Sequence, residues 1–549
     1  MNRMSENPSN PSEIAEQAAV INPRLRPVIY AATSVLLIFT QGLGMNFVPV
    51  NLPQLAGAFG ATTTEMNWFV AAYMAPFASM TLILIKVRTQ FGLRRFAEPS
   101  IVVFVVASLL HLIPHNIYSG MAVRFLAGMV GPAISSLGFL YMLEAFPPAL
   151  KRTWGFSMAL TCSLSMPMVA RLISPPLLDI GGWQALYAMD VGLALLALAA
   201  IYRLPLTTIQ RAKVLHWKDA ITFPLIAIGF GLLAVVFTMG RQPDYWWLES
   251  PWLGWCAAAA LVAIGAAAVI EVHRDTPLVN VRWLLSGEML RFALVALVFR
   301  IVLSEQTTGA AGLFQSIGLL NEQSRGLYLV ILAGMAAGGL VSGAILKPER
   351  IRRIHMLSLL CICAGACMDG QATSLTRPEN MYMSQALIAF GSVLFLPSVM
   401  TAGIAAALKR GPTYITSYIV VFLFTQNLGG LMGSSFLNTF VTIREKFHSS
   451  LLVERIVMAD PLVAGRVSQL SAAYGRVLTD GVLLKAEGLA LLSQQTTREA
   501  YILAYNDVFL AISVIAGAAL AVLLLRSAYI QLKMKFFLPT NKTGEPVSC

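Results

Sequence analysis

The chain has 549 residues, 57% of them hydrophobic and 12% charged, with a net charge of +12 and a mean hydropathy of +0.70. That balance excludes a soluble enzyme on an anchor, because the polar stretches are too short to enclose an independent catalytic core. The positive charge lies in short clusters between apolar runs, which argues for membrane topology and against nucleic-acid binding.

Residues 1–26 form a polar tail without an apolar core followed by a small-residue cleavage site. No removable signal peptide is therefore expected, and the first span directs insertion. Fourteen apolar runs follow, near 28–50, 67–86, 98–113, 119–142, 153–177, 183–204, 219–239, 252–271, 289–313, 326–346, 354–372, 383–408, 413–440 and 504–530. A span needs about 20 mainly apolar residues, and the bilayer interior satisfies no backbone polar group. Each run is thus expected to be a helix, and the fold class is an all-α polytopic membrane protein.

Basic clusters alternate along the chain. Arg24/Arg26, Lys86/Arg88/Arg94/Arg95, Lys151/Arg152, Arg203/Arg211/Lys213/Lys218, Lys347/Arg350/Arg352/Arg353, Lys409/Arg410 and Lys533/Lys535 fall on one side, against Arg241, Arg325 and Arg377 in short loops on the other. The positive-inside bias then puts both termini in the cytoplasm. Three polar segments interrupt the spans: a basic one at 205–218, a mixed one at 272–288, and 441–503 on the outer side. In the last, apolar residues spaced three and four apart flank Asp460-Pro461, which predicts two amphipathic helices folded as a hairpin. It serves either as a lid on the outer mouth or as a docking surface for a periplasmic partner.

Cys162, Cys256, Cys361, Cys363 and Cys367 lie in apolar spans, and Cys549 ends the chain. No His or carboxylate joins them at ligand spacing, so neither a metal site nor a cofactor is expected. No Gly-x-x-x-x-Gly-Lys-Ser/Thr sequence occurs, so ATP is not the expected energy source. Gly334, Gly338, Gly339 and Gly343, with Gly429, Gly430 and Gly433, predict close helix contacts. Trp246, Trp247, Trp252 and Trp255 are expected in the headgroup belt.

Several stretches from residue 40 onward resemble the major facilitator superfamily, in its fourteen-span drug/proton antiporter branch of the EmrB/QacA type. They are LPQLAGAFGATTTEMNWFVAAYMAP (52–76), RFLAGMVGPA (124–133), FPPALKRTWG (146–155), QALIAFGSVLFLP (385–397) and FLNTFVTIREKFHSSLL (436–452). The resemblance implies a major facilitator fold with two six-helix bundles plus two inserted helices, 14 transmembrane helices in all. The corresponding boundaries are a cytoplasmic tail at 1–26, an N-terminal bundle at 27–204 and the inserted pair with its loops at 205–288. A C-terminal bundle follows at 289–530, including the periplasmic hairpin 441–503, and then a tail at 531–549. A substrate cavity near the midplane is implied, with a proton-coupling role for Arg124 and a conformational motif at Gly92, Arg94, Arg95 and Gly128. The chain departs from the branch in three places. Gly44 stands where an acid is usual, with Asn46 two residues on; Thr89 stands for an Asp; and Ala170-Arg171 replaces a Gly-Pro pair.

Ionisable residues inside spans cost about 2.5–3.5 kcal/mol each on insertion scales, so they face a cavity or a partner. Arg124, Arg171, Asp190, Arg300 and Glu305 are the deep ones. Asp190 and Glu305, with Arg124, are the proton-coupling candidates. Arg171, Arg300, Gln306 and Asn46 are the substrate-cavity candidates. Matching depths across the 181–183 connection predict that Arg171 pairs with Asp190 or shares its water. Asp369 and Asp507 lie near span ends, where a structural role is expected. Three arginines against two acids tilt the cavity positive, which favours anionic or zwitterionic amphipathic cargo. These features predict an inner-membrane exporter of an organic small molecule by proton antiport, with a periplasmic adaptor and outer-membrane channel implied by the resemblance. Proton-coupled uptake, or a non-transporting sensor or assembly partner of the same fold, are the alternatives.

Overall fold

The computed structural model describes residues 24–537 apart from 115, 207–212, 248, 275–276, 278–279 and 412. Most of both expected tails, together with Arg211 and Cys549, lies outside the described residues. Among those described, the regular structure is helical. The main elements are α1 (Arg26–Val50), α2 (Thr63–Phe91), α3 (Leu93–Leu110), α4 (Ile117–Ala145), α5 (Phe156–Arg203), α6 (Asp219–Met239) and α7 (Pro251–Val272). They continue with α8 (Gly287–Leu303), α9 (Glu305–Thr308), α10 (Ala310–Ser316), α11 (Arg325–Ile345), α12 (Ile351–Asp369), α13 (Tyr382–Arg410), α14 (Thr413–Glu454), α15 (Pro461–Ala472) and α16 (Gly481–Phe537).

Among the described residues, eleven helices are long and apolar enough to cross a membrane. The expectation of fourteen rests on three further features. Gly181 and Gly182 leave helical geometry and divide α5, with Gly182 at φ +60°, where a side chain would be strained. Leu93–Leu110 is a separate helix set off from α2 by Gly92, at φ +85°. The run expected as one helix at 289–313 is instead broken into α8, α9 and α10 at Ser304 and Gly309. Its polar Ser-Glu-Gln-Thr-Thr-Gly sequence supplies side chains that compete for backbone partners, and Gly309 relaxes the local geometry.

Two groups of helices pack around separate cores. In the first, α1 lies against α4 and α5, α2 against α4, and α3 against α4 and α5. In the second, α13 packs on α11 and α12, α16 on α12 and α14, and α8 on α14. The groups meet along α5 and α11 and, more lightly, along α2 and α14. Glycine sets the closeness within the second group. A Cβ on Gly334 or Gly338 would lie 2.7 Å from the Ala386 or Phe390 carbonyl oxygen, so α11 approaches α13 only because those side chains are absent.

The pair α6–α7 packs beside α2. At the basic face Asp219 accepts from Lys86 at 3.1 Å and meets Arg274 at 2.7 Å, while Arg274 also pairs with Glu271 at 2.6 Å. At the other end the Trp247 indole donates to Thr439 Oγ1 at 2.8 Å and Ser435 donates to the Phe237 carbonyl. Trp247 and Trp252, expected as belt residues, thus also join this pair to its neighbours, Trp252 stacking on Trp68 at 5.9 Å.

The segment at 441–503 differs from the expected pair of amphipathic helices. No helix breaker follows residue 441 until Glu454, so its first part is the continuation of α14, and its last part is the start of α16. Only α15 is a separate helix; its N-terminus is capped by Asp460, and it packs on α16. Arg444 and His448 meet Asp507 at 2.6 and 2.7 Å, which ties the two long helices together where they leave the apolar region.

Candidate functional site

A cavity of about 330 Å³ lies between the two groups of helices and α6. Gln41 and Asn46 from α1, Arg124 from α4 and Arg300 from α8 reach its wall, as do Gln306 and Thr307 of the broken segment and Gln426 of α14. Arg241, expected in a short outer loop, also lines it, because α6 ends at Met239 and turns inward. Three guanidinium groups therefore face this space, and no carboxylate is among its described lining residues. In a low-dielectric surround that arrangement attracts anions far more strongly than it would in water.

Each arginine is seated differently. Arg124 is 1% exposed. Its Nη1 donates to the Gly44 carbonyl at 2.7 Å and its Nη2 to that of Met45 at 3.3 Å, and its guanidinium lies 4.4 Å from the Tyr73 ring centre. Arg300 Nε donates to the Gln426 carbonyl at 3.1 Å. Its Nη2 would stand 2.8 Å from a Cβ on Gly430, so that glycine leaves room for it. Arg241 Nε has no hydrogen-bond partner among the described residues.

The expected pairing of Arg171 with Asp190 does not occur, and Arg171 is not on the cavity wall. The division at Gly181–Gly182 turns the two halves of α5 to different faces. Arg171 reaches the second group of helices, donating to Asn321 Oδ1 at 3.0 Å and to the Thr307 carbonyl at 3.4 Å, with the Tyr328 ring centre 5.6 Å away. Asn321 Nδ2 in turn donates to the Val50 carbonyl at 3.0 Å. Arg171 thus joins the two groups of helices.

Asp190 turns inward against α1, α3 and α4. Ser108 donates to its Oδ2 at 2.9 Å. A Cβ on Gly44 would lie 3.0 Å from Asp190 Oδ1, so the missing span-one side chain leaves the space that this carboxylate occupies. His111 stacks on Tyr187 at 4.5 Å beside the same cluster.

In the second group, Glu305 is fully buried and Asp369, expected near interfacial water, is only 3% exposed. Gln385 Nε2 donates to Glu305 Oε1 at 2.8 Å and to Asp369 Oδ2 at 2.7 Å, and Ser384 donates to Asp369 Oδ1. Asp369 is the last residue of α12, but α13 folds over it, which its position in the sequence did not reveal.

Of the implied conformational motif, Gly92 divides α2 from α3, and Gly128 approaches α2 so closely that a Cβ would lie 2.2 Å from the Tyr73 carbonyl oxygen. Arg94 pairs with Glu98 of its own helix at 2.7 Å and Arg95 is exposed. The nearby arginine that reaches across is Arg88, in the last turn of α2, which donates to Ser136 at 3.2 Å. Arg241, Asn321, Asp369 and Gln385 are the site residues that sequence reasoning missed. Their only signal was polarity at or near the ends of apolar runs.

Apolar helices of membrane-crossing length around an internal polar cavity define a polytopic carrier of small solutes rather than an enzyme. The family profile described as Major Facilitator Superfamily matches residues 34–434. The chain belongs to that superfamily.

It is 24% identical over 491 residues to "Multidrug export protein EmrB" of Haemophilus influenzae, covering 86% of this chain and 90% of the relative. It is 21% identical over 498 residues to "Fatty acid resistance protein FarB" of Neisseria gonorrhoeae, covering 87% and 92%. Such full-length likeness places it with the EmrB-like drug-efflux members. Among solved structures it resembles the human organic anion transporter MFSD10, with a TM-score of 0.53 and 13% identity over 90% of this chain and all of that one. A bacterial homologue of the human drug peptide transporters PepT1 and PepT2 gives 0.54 and 13%, over 92% and 99%. These likenesses show the same fold.

Proposed function

We propose that the protein exports an amphipathic organic anion, of the drug, acidic-metabolite or siderophore-like class, by proton antiport and alternating access. The observation that carries this reading is the cavity wall, with Arg124, Arg241 and Arg300 and no carboxylate. A lipophilic cation entering that space meets repulsion from three charges, whereas an anion gains charge-assisted hydrogen bonds. The names of two similar proteins, one conferring resistance to fatty acids and one transporting organic anions, accord with such cargo.

Asp190 and Glu305 are the carboxylates assigned to the proton. Each is buried behind the wall rather than on it, so proton and anion occupy separate places. The chain crosses a bacterial inner membrane fourteen times with both ends in the cytoplasm, in the six-two-six division read from the sequence. The segment 441–503 is then the surface for a periplasmic adaptor serving an outer-membrane channel.

Inverted membrane vesicles carrying a proton gradient test the export reading with two fluorescent probes, a dansyl-labelled fatty acid and ethidium. The anion is expected to accumulate, and Arg300→Ala or Arg241→Ala to lower its uptake about 10-fold or more, the worth of one charge-assisted hydrogen bond. Accumulation of ethidium alone, indifferent to both substitutions, refutes anionic cargo.

A further inference from the structure

Glu305 and Asp369 stand on opposite sides of one amide. Gln385 Nε2 spends both of its hydrogens on them, at 2.8 and 2.7 Å, and the Ser384 hydroxyl donates to the second oxygen of Asp369. All four residues are buried, the most exposed being Asp369 at 3%. Two acceptors in the same place have no donor among the described residues: Glu305 Oε2 and Gln385 Oε1, both on side chains with 0% exposure. Among the described residues neither carboxylate forms an ion pair with a cation. Arg300, one helix away on the same broken span, turns instead to the Gln426 carbonyl.

Two carboxylates with no cation beside them do not both stay ionised in a dry surround. The orphaned Glu305 and Gln385 oxygens mark where one more hydrogen is missing from the network. We infer that Glu305 and Asp369 hold a single proton between them, with Gln385 as the bridge, and that this pair is a proton-binding site of the second helix group. Asp369 is thereby a second acid of the site, and Gln385 is a positioning residue.

The broken span gives the pair a link to cargo. Glu305 is followed directly by Gln306 and Thr307, which line the cavity, and the Thr307 carbonyl accepts from Arg171 of the other group. Helix breaks at Ser304 and Gly309 bound this four-residue piece, α9. A shift of α9 toward bound cargo moves Glu305 relative to Gln385 and Asp369, so the proton is released or held according to what the cavity contains. This coupling rests on the export reading; the shared proton itself does not.

Infrared spectroscopy of the purified protein separates the two. In an Asp190→Asn background, the carbonyl-stretching band of protonated carboxyl groups is followed as pH is raised, without any cargo. Removing either acid removes the charge that forces the other to keep its proton. Glu305→Gln and Asp369→Asn are each expected to lose the band at a pH about one unit or more lower, since coupled acids interact by at least that much. Glu305→Gln/Asp369→Asn is expected to lack it, and Asp369→Glu to restore the original behaviour. The amide substitutions nearly preserve shape, and an unchanged thermal unfolding midpoint verifies the fold of every variant, including the longer Asp369→Glu. A band whose pH dependence is the same in either single variant overturns the shared proton while leaving anion export untouched. A coupled band in a protein that moves no anion in the vesicle assay overturns export and leaves the pair standing.

Discussion

Replacing Asn321 by alanine tests how the two groups of helices are held together. The side chain accepts from Arg171 Nη1 at 3.0 Å and donates to the Val50 carbonyl at 3.0 Å, so two bonds cross between the groups through one residue. The bond from the charged arginine is worth about 1.5–3 kcal/mol and the neutral one about 0.6 kcal/mol, as measured between membrane helices. Together they bias the joined arrangement of the two groups by about 2–4 kcal/mol, and Asn321→Ala shifts the balance toward separation roughly thirtyfold to several hundredfold. Spin labels at Gln54→Cys and Glu322→Cys, both exposed and flanking this junction, report the separation by pulsed electron resonance. The expected result is a new, longer-distance population in Asn321→Ala, reproduced by Arg171→Met. A distance distribution identical to that of the parent refutes the claim that this junction holds the two groups of helices together.

Three further outcomes follow from the geometry. Gly128→Ala places a Cβ 2.2 Å from the Tyr73 backbone oxygen, so α4 must retreat from α2; thermal unfolding in detergent is expected to reveal a loss of about 1–3 kcal/mol. In Gly430→Ala the three atoms nearest the new Cβ all belong to the Arg300 guanidinium, the closest at 2.8 Å, so that end of the side chain is displaced and anion transport is expected to fall while the unfolding midpoint holds. Asp219→Asn leaves Lys86 and Arg274 without their shared carboxylate, a change expected to cost about 3–5 kcal/mol and to be readable by the same unfolding assay.

Apolar run length determined that this chain is a helical membrane protein, because a bilayer satisfies no backbone group and leaves the helix as the solution for each run. Charge, rare in such a medium, marked Arg124, Asp190, Arg300 and Glu305 in the same way: a group that costs several kcal/mol to bury has to be answered by something. What answers it was not legible. Depth along a span places a side chain between the two faces but says nothing of the direction in which it points, so Arg171 and Asp190 seemed partners although a glycine turn sends them to different neighbours. Asp369 looked solvated because it ends a helix, yet α13 covers it, and Arg241 looked like a loop residue until the turn after α6 brought it to the cavity. Most of the helices, the family resemblance and the few charges that interrupt the apolar runs were legible in the residues alone. Which charges share a space emerged only from the folded arrangement, because it depends on helix rotation and on contacts between residues far apart in the chain, such as Arg171 with Asn321 and Gln385 with Glu305.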